Sequence, residues 1–206
     1  MISTQAAEIH VHRDDVGSRM GMWLFLFTEL LLFGGMFILY SVYRFTYAEE
    51  FHRAAKELNT VVGAFNTAIL LTSSLTMVFS IIAIQRDQKS LSLLMQALTI
   101  LLGLFFMVNK YFEWTSKFHH GIYPGSDELL SRDSGEILFF GLYYVMTGLH
   151  GIHVLVGMIL IAIMSRFTIK DLITHDNYVR LENIGLYWHL VDIIWIFLFP
   201  LFYLIT

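Results

Sequence analysis

A bundle of five membrane-spanning helices is the fold this sequence predicts, and three observations predict it. Of the residues, 56% are apolar and 15% charged; the mean hydropathy is +0.63; and the charged residues are spaced so that five long apolar runs lie between them. A bilayer core takes about 20 apolar residues per spanning helix, and each run reaches that length. A transmembrane β-barrel needs short alternating segments broken by turns, a pattern these continuous runs do not have.

Taken in order, the first helix is expected over 20–44, between Arg19 and Arg44, broken only by Glu29. The polar stretch 1–18 before it has no apolar core of a signal peptide, so the first span is expected to direct insertion itself. The second helix is expected over 58–85, between Glu57 and Arg86, and the third over 90–114, its uncharged run bounded by Lys89 and Lys110. The fourth, over 136–165, lies between Glu136 and Arg166; the fifth, over 182–205, follows Glu182 and is broken only by Asp192. Connections are short except for roughly 20 residues that include "HHGIYPGSDELLSRDSGE", with its Pro-Gly turn. With no repeat and no change in composition, residues 1–206 form a single transmembrane domain.

An odd number of spans puts the termini on opposite sides. On the N-terminal side lie Arg13, Arg19, Arg86, Lys89, Arg166, Lys170 and Arg180; opposite lie Arg44, Arg53, Lys56, Lys110, Lys117 and Arg132. Seven against six favours a cytoplasmic N-terminus by a narrow margin. The net charge of −4 gives no basic field for a nucleic-acid partner. The absence of cysteine removes disulfides, iron–sulfur clusters and thiolate metal sites, leaving His, Met and carboxylates as the possible ligands.

A charged carboxylate in mid-bilayer costs about 2.5–3.5 kcal/mol on insertion scales, so the polar residues inside the spans are the informative ones. Glu29 shares a face with Met22, Phe25, Phe33, Met36 and Tyr40, and is expected to look out from an apolar, aromatic surface. Two roles stand open for it: a neutral carboxyl bonded to a neighbouring helix, or a proton-handling or lipid-contacting group. In "FNTAILLTSSLTM", Asn66 and Ser73 fall on one face, where such residues join helices. In the fourth span, His150 and His153 share a face with Glu136, Tyr143, Met146 and Gly157, while Gly141, Gly148 and Gly151 form a small-residue stripe roughly opposite. In the fifth, His189 and Asp192 lie one turn apart and can satisfy each other.

Three function classes compete on these residues. A small membrane cytochrome b would use His150 or His153 with His189; a proton-conducting protein would centre on Glu29; a supporting subunit would use the same groups for helix packing. Histidines at i and i+3 cannot take opposite axial positions of one haem, which weakens the first reading.

Four segments in order, "GMWLFLFTELLLFGG", "FNTAILLTSSLTM", "GLYYVMTGLHGIHVLVG" and "YWHLVDIIWIFLFPLFYL", together resemble subunit III of the haem-copper oxidases, the cytochrome c and quinol oxidases of aerobic respiration. The resemblance runs from about Gly21 to Tyr203. It implies a subunit of the respiratory electron transport chain without haem, copper or catalytic residues of its own, packed beside a subunit I that holds the haem and copper. It also implies bound phospholipid, support of proton uptake and oxygen access, and a multi-pass place in a bacterial inner membrane. On matching positions, Glu29 after Trp23 is the family's intramembrane acid. His150 and His153 are its histidine pair; Trp188, His189 and Asp192 form its Trp-His-x-x-Asp signature; Glu113 in "KYFEW" is its acid at the end of the third span. Trp23, Glu29 and Trp188 are the implied lipid contacts. Longer members have two further spans before the first one here, and Glu136 falls outside the pattern. An accessory role beside a nitric oxide reductase is a variant of the same reading.

Overall fold

The computed structural model describes residues 14–205, so Arg13 and most of the polar stretch 1–18 lie outside the described residues. Five long helices form: α1 (Asp15–Thr46), α3 (Thr60–Gln85), α4 (Lys89–His119), α6 (Ser134–Ile169) and α7 (Val179–Tyr203). Each is long and apolar enough to cross a membrane. Two short helices complete the order, α2 (Ala48–Ala55) and α5 (Asp127–Leu130). Among the described residues there is no β-strand.

Helix ends follow local chemistry. Asp14 caps α1 by accepting from Gly17 N at 2.7 Å, and Asn59 caps α3 by accepting from the amides of Val61 and Val62. Helix α3 turns into α4 through Asp87 at φ 57°, a left-handed conformation that Asp tolerates. Helix α4 ends in a Schellman arrangement: Gly121 stands at φ 70°, with Gly121 N on the Phe118 carbonyl and Ile122 N on that of Lys117.

Helices α3, α4, α6 and α7 pack in a ring, α3 on α4, α4 on α6, α6 on α7 and α7 back on α3, while α1 lies outside against α6 and α7. Trp188 and Trp195 of α7 fill the centre of the ring and are fully buried. Trp188 requires two glycines: a β-carbon on Gly157 would stand 2.7 Å from its ring, and one on Gly103 3.0 Å from it. Helix α1 contrasts with this, since 11% of its apolar stretch is buried against 50% in α7.

Two expectations change. Helix α4 continues past 114 to His119, and the face of α1 that carries Glu29 turns inward: Leu26, Phe33 and Tyr40 on that face are buried. The face of α1 that meets the lipid or a partner is the opposite one, with Leu24, Phe27, Leu31, Ile38 and Phe45 exposed.

Candidate functional site

Glu29 and His153 meet halfway along α1 and α6. Glu29 Oε2 lies 2.9 Å from His153 Nε2, and both side chains keep 14% exposure. The other ring nitrogen, Nδ1, lies 2.8 Å from the Leu149 carbonyl, which can only accept, so Nδ1 carries a proton. One further proton then occupies the bond between Nε2 and Glu29, either as O–H···N between neutral groups or as N–H···O between ions. Phe33 presents its edge to the imidazole and the Tyr187 hydroxyl donates to the His153 carbonyl at 3.2 Å, so the pair sits in an aromatic cage. The expected aromatic face is present; its acid points into the protein.

The other predicted residues separate. His150 is fully buried, edge-on to Phe106 and tilted against Trp195, and neither ring nitrogen has a hydrogen-bond partner among the described residues. His189 and Asp192 do not satisfy each other. His189 Nδ1 instead lies 2.6 Å from the Ser74 hydroxyl on α3, and the Asp192 carboxyl lies beside that same hydroxyl without forming a hydrogen bond of its own. The shorter serine on the facing helix reaches the imidazole, so the pairing one turn along α7 is not used. Trp23 is 62% exposed, whereas Trp188 is covered on all sides and donates its indole N–H to Ser73, leaving it no surface for a lipid.

A polar seam holds α3 in the ring. Asn109 Nδ2 donates to Asn66 Oδ1 at 2.8 Å, Trp195 Nε1 to Thr67 at 3.0 Å, and Trp188 Nε1 to Ser73 at 3.1 Å. Thr76 meets Thr99 at 2.7 Å, and Ser80 meets Ser92 at 3.2 Å. Farther along, Gln96 of α4 donates to Ser92 and accepts from Ser165 of α6. Such bonds in membranes contribute about 0.6 kcal/mol each on average; they fix helix register more than they supply stability.

A second charged site lies at the end of the bundle that carries α2 and α5. Lys110 Nζ donates to Glu113 Oε2 (3.2 Å), Tyr143 OH (3.1 Å) and Tyr203 OH (2.8 Å). The two phenols in turn donate to Glu113 Oε1, at 2.6 Å from Tyr143 and 2.5 Å from Tyr203. Every proton of the ammonium and both phenolic protons are thus used. Of this quartet, the family resemblance marks Glu113 alone. The available signal was the i, i+3 spacing of Lys110 and Glu113; Tyr143 and Tyr203 come from other helices, and nothing in the sequence pairs them with it.

Above the quartet, ion pairs close the end of the bundle. Arg132 reaches Glu57 at 2.5 Å and Glu136 at 3.4 Å, while Arg53 reaches Asp133 at 2.5 Å and Glu136 at 3.5 Å. Glu136, whose role was open, is therefore the acid shared by two arginines. Partial burial works against the Arg132 charge, but the hydrogen bond and charge of Glu57 outweigh it and raise the pKa of the guanidinium.

Among the described residues, no group of three or more His, Asp or Glu side chains gathers as a metal site would. The sequence model of the family described as cytochrome c oxidase subunit III matches residues 2–206. Cytochrome c oxidase subunit 3 of Thermostichus vulcanus is 29% identical over 204 residues, covering 98% of this chain and 94% of the relative. Cytochrome bo(3) ubiquinol oxidase subunit 3 of Pseudomonas aeruginosa is 31% identical over 199 residues, covering 95% and 89%. Heme-copper oxidase subunit I+III of Aeropyrum pernix is 29% identical over 195 residues, covering 91% of this chain and only 22% of that longer protein. A match to all but the first residue, together with five apolar helices, places this chain in the cytochrome c oxidase subunit III family, as a multi-pass membrane protein.

Proposed function

We propose that the chain is the non-catalytic subunit III of a respiratory haem-copper terminal oxidase in a bacterial inner membrane. The observation that carries this reading is the family match over residues 2–206. In the complex the chain works beside subunit I, which holds the haem and copper, and the relative whose name joins subunits I and III supports that neighbourhood. The docking face is the outer side of α1. Its Leu24, Phe27, Leu31, Ile38 and Phe45 are exposed, and β-carbons on Gly34 and Gly35 would meet nothing within 4 Å, which leaves room for a partner helix to approach closely.

The N-terminus faces the cytoplasm. Lys110 and Lys117 are buried in α4, which leaves Arg44, Arg53, Lys56 and Arg132 as the basic residues at the opposite surface. Against these four, the described N-terminal side carries six: Arg19, Arg86, Lys89, Arg166, Lys170 and Arg180. The Glu29–His153 pair, with its single movable proton, supports subunit I during proton uptake. Phospholipid covers Trp23 and an apolar groove of about 570 Å³ between α4 and α6, lined by Trp114, Phe118, Gly148, Gly151 and Ile152.

A cytochrome b reading gains no support from the imidazoles, since His150 packs on Trp195, His153 bonds Glu29 and His189 meets Ser74. The test is purification of a tagged chain in mild detergent. Haem-containing oxidase subunits co-purify, and oxidase assembled without the chain loses activity sooner during turnover. A chain that emerges without any haem protein, or an oxidase whose working life is unchanged by its removal, contradicts the reading.

A further inference from the structure

The Lys110–Glu113–Tyr143–Tyr203 quartet borders an open cleft through Glu113. A cleft of about 320 Å³ opens between α3 and α4 at the end of the bundle; Glu57, Asn59, Asn109, Glu113, Ser116 and Lys117 line it together with the apolar Val62 and Phe112. Glu113 is therefore both the acid of a buried ion pair and part of the cleft wall. Its side chain keeps 8% exposure.

The surroundings suit a site that changes its charge by one. When Glu113 takes up a proton, Lys110 loses its counter-ion, which ordinarily leaves a buried cation uncompensated. Here the phenolic oxygens of Tyr143 and Tyr203 accept from the ammonium at 3.1 and 2.8 Å, and the Trp195 ring centroid lies 5.2 Å from it. Cation–π attraction to Trp195 and the two phenolic oxygens hold the lysine charge while the carboxyl is neutral. The other titratable groups around it come from α4, α6 and the adjoining loops. Lys117 of α4 lies next to Glu113, Glu57 and Arg132, Tyr144 of α6 lies near Glu113, and His150 of α6 lies near Lys110.

We infer that Glu113 is a proton-exchange site: it binds a proton delivered by water through the α3–α4 cleft and returns it by the same route, while the phenolic oxygens and Trp195 around Lys110 hold the positive charge. The step moves one proton from hydronium or a buffer acid to a Glu113 oxygen and breaks no other bond. It lies at the opposite end of the bundle from the start of α1, on α4 rather than on the helices α1 and α6 that carry Glu29 and His153, and does not depend on what the chain docks against.

The test is infrared difference spectroscopy on the purified complex containing the full chain, titrated in pH in H2O and in D2O. A protonated-carboxyl band that grows as pH falls and shifts in D2O is expected, lost in Glu113→Gln and kept in Glu29→Gln. Lys110→Met removes the charge that favours the carboxylate, so the band should appear at higher pH. A Glu113→Gln complex that keeps the band overturns the inference. Where Glu113→Gln fails to assemble, Ser116→Phe at the cleft mouth decides. A severalfold slower D2O shift supports exchange through the cleft, and an unchanged rate, or no D2O-sensitive band in the parent, overturns it.

Discussion

The ring of α3, α4, α6 and α7 and the outlying helix α1 are equally apolar in sequence but are held in different ways. In the ring, Trp188 seats on two glycines, Trp188 and Trp195 each donate to a hydroxyl of a facing helix, and a lysine and a glutamate are closed into a cycle by two tyrosines. Helix α1 rests on the ring through one face. Glu29 meets His153, Arg19 meets Glu182 at 2.8 Å, Tyr40 donates to the Leu201 carbonyl, and Asn183 donates to Ser18. The difference teaches that the ring supports itself, whereas α1 has a whole apolar side that none of the described residues covers.

The comparison breaks most visibly if the ring tolerates loss of its charge pair. Glu113→Leu removes the counter-ion of Lys110 and, unlike a protonated carboxyl, also the acceptor of both phenolic protons; it should cost about 3–5 kcal/mol, read as lost thermal stability of the purified chain in detergent. A change below 1 kcal/mol would mean that the cycle does not hold the ring together. Next in size, Gly157→Val drives a β-carbon into the Trp188 ring and should cost about 1–3 kcal/mol through overpacking. Smaller again, Thr67→Ala removes the acceptor of Trp195 Nε1 and should cost about 0.6 kcal/mol, close to the limit of such a measurement. On α1 the expectation reverses: Leu31→Gln with Ile38→Gln should leave the stability of the separated chain within about 0.5 kcal/mol and yet reduce recovery of the oxidase complex. Equal recovery would move the docking face elsewhere.

Glu29→Gln sharpens the same contrast. The amide can still bond to His153, so assembly should persist, while the pair can no longer hold its movable proton and the oxidase should lose activity sooner during turnover. Lost assembly would make the pair a clamp like those in the ring.

Much of the ring was legible from sequence because its causes are local. Charge-free runs gave the five spans, and Asn66 and Ser73 lay on one face because a helix repeats every 3.6 residues. The inward turn of the Glu29 face was not legible. An apolar face in a membrane span serves lipid or protein equally well, and its choice was made by His153, 124 residues away in the chain. The pairing of His189 and Asp192 failed for a similar reason: helical spacing identifies neighbours on one helix, but Ser74 across the interface was a closer partner. Lys110 ends the uncharged run but not the helix expected over 90–114; with Glu113, Tyr143 and Tyr203 around it, the lysine charge is held inside the helix, and α4 runs on beyond 114 to His119.

The central claim is that this chain serves redox chemistry carried by its neighbours and holds no redox centre itself. It is tested most directly by purifying the complex, separating this chain from the other subunits, and measuring haem absorbance and copper and iron per mole of each. The account predicts haem bands and copper in the complex and a colourless, metal-free chain. Haem or copper retained in stoichiometric amount by the separated chain would contradict it.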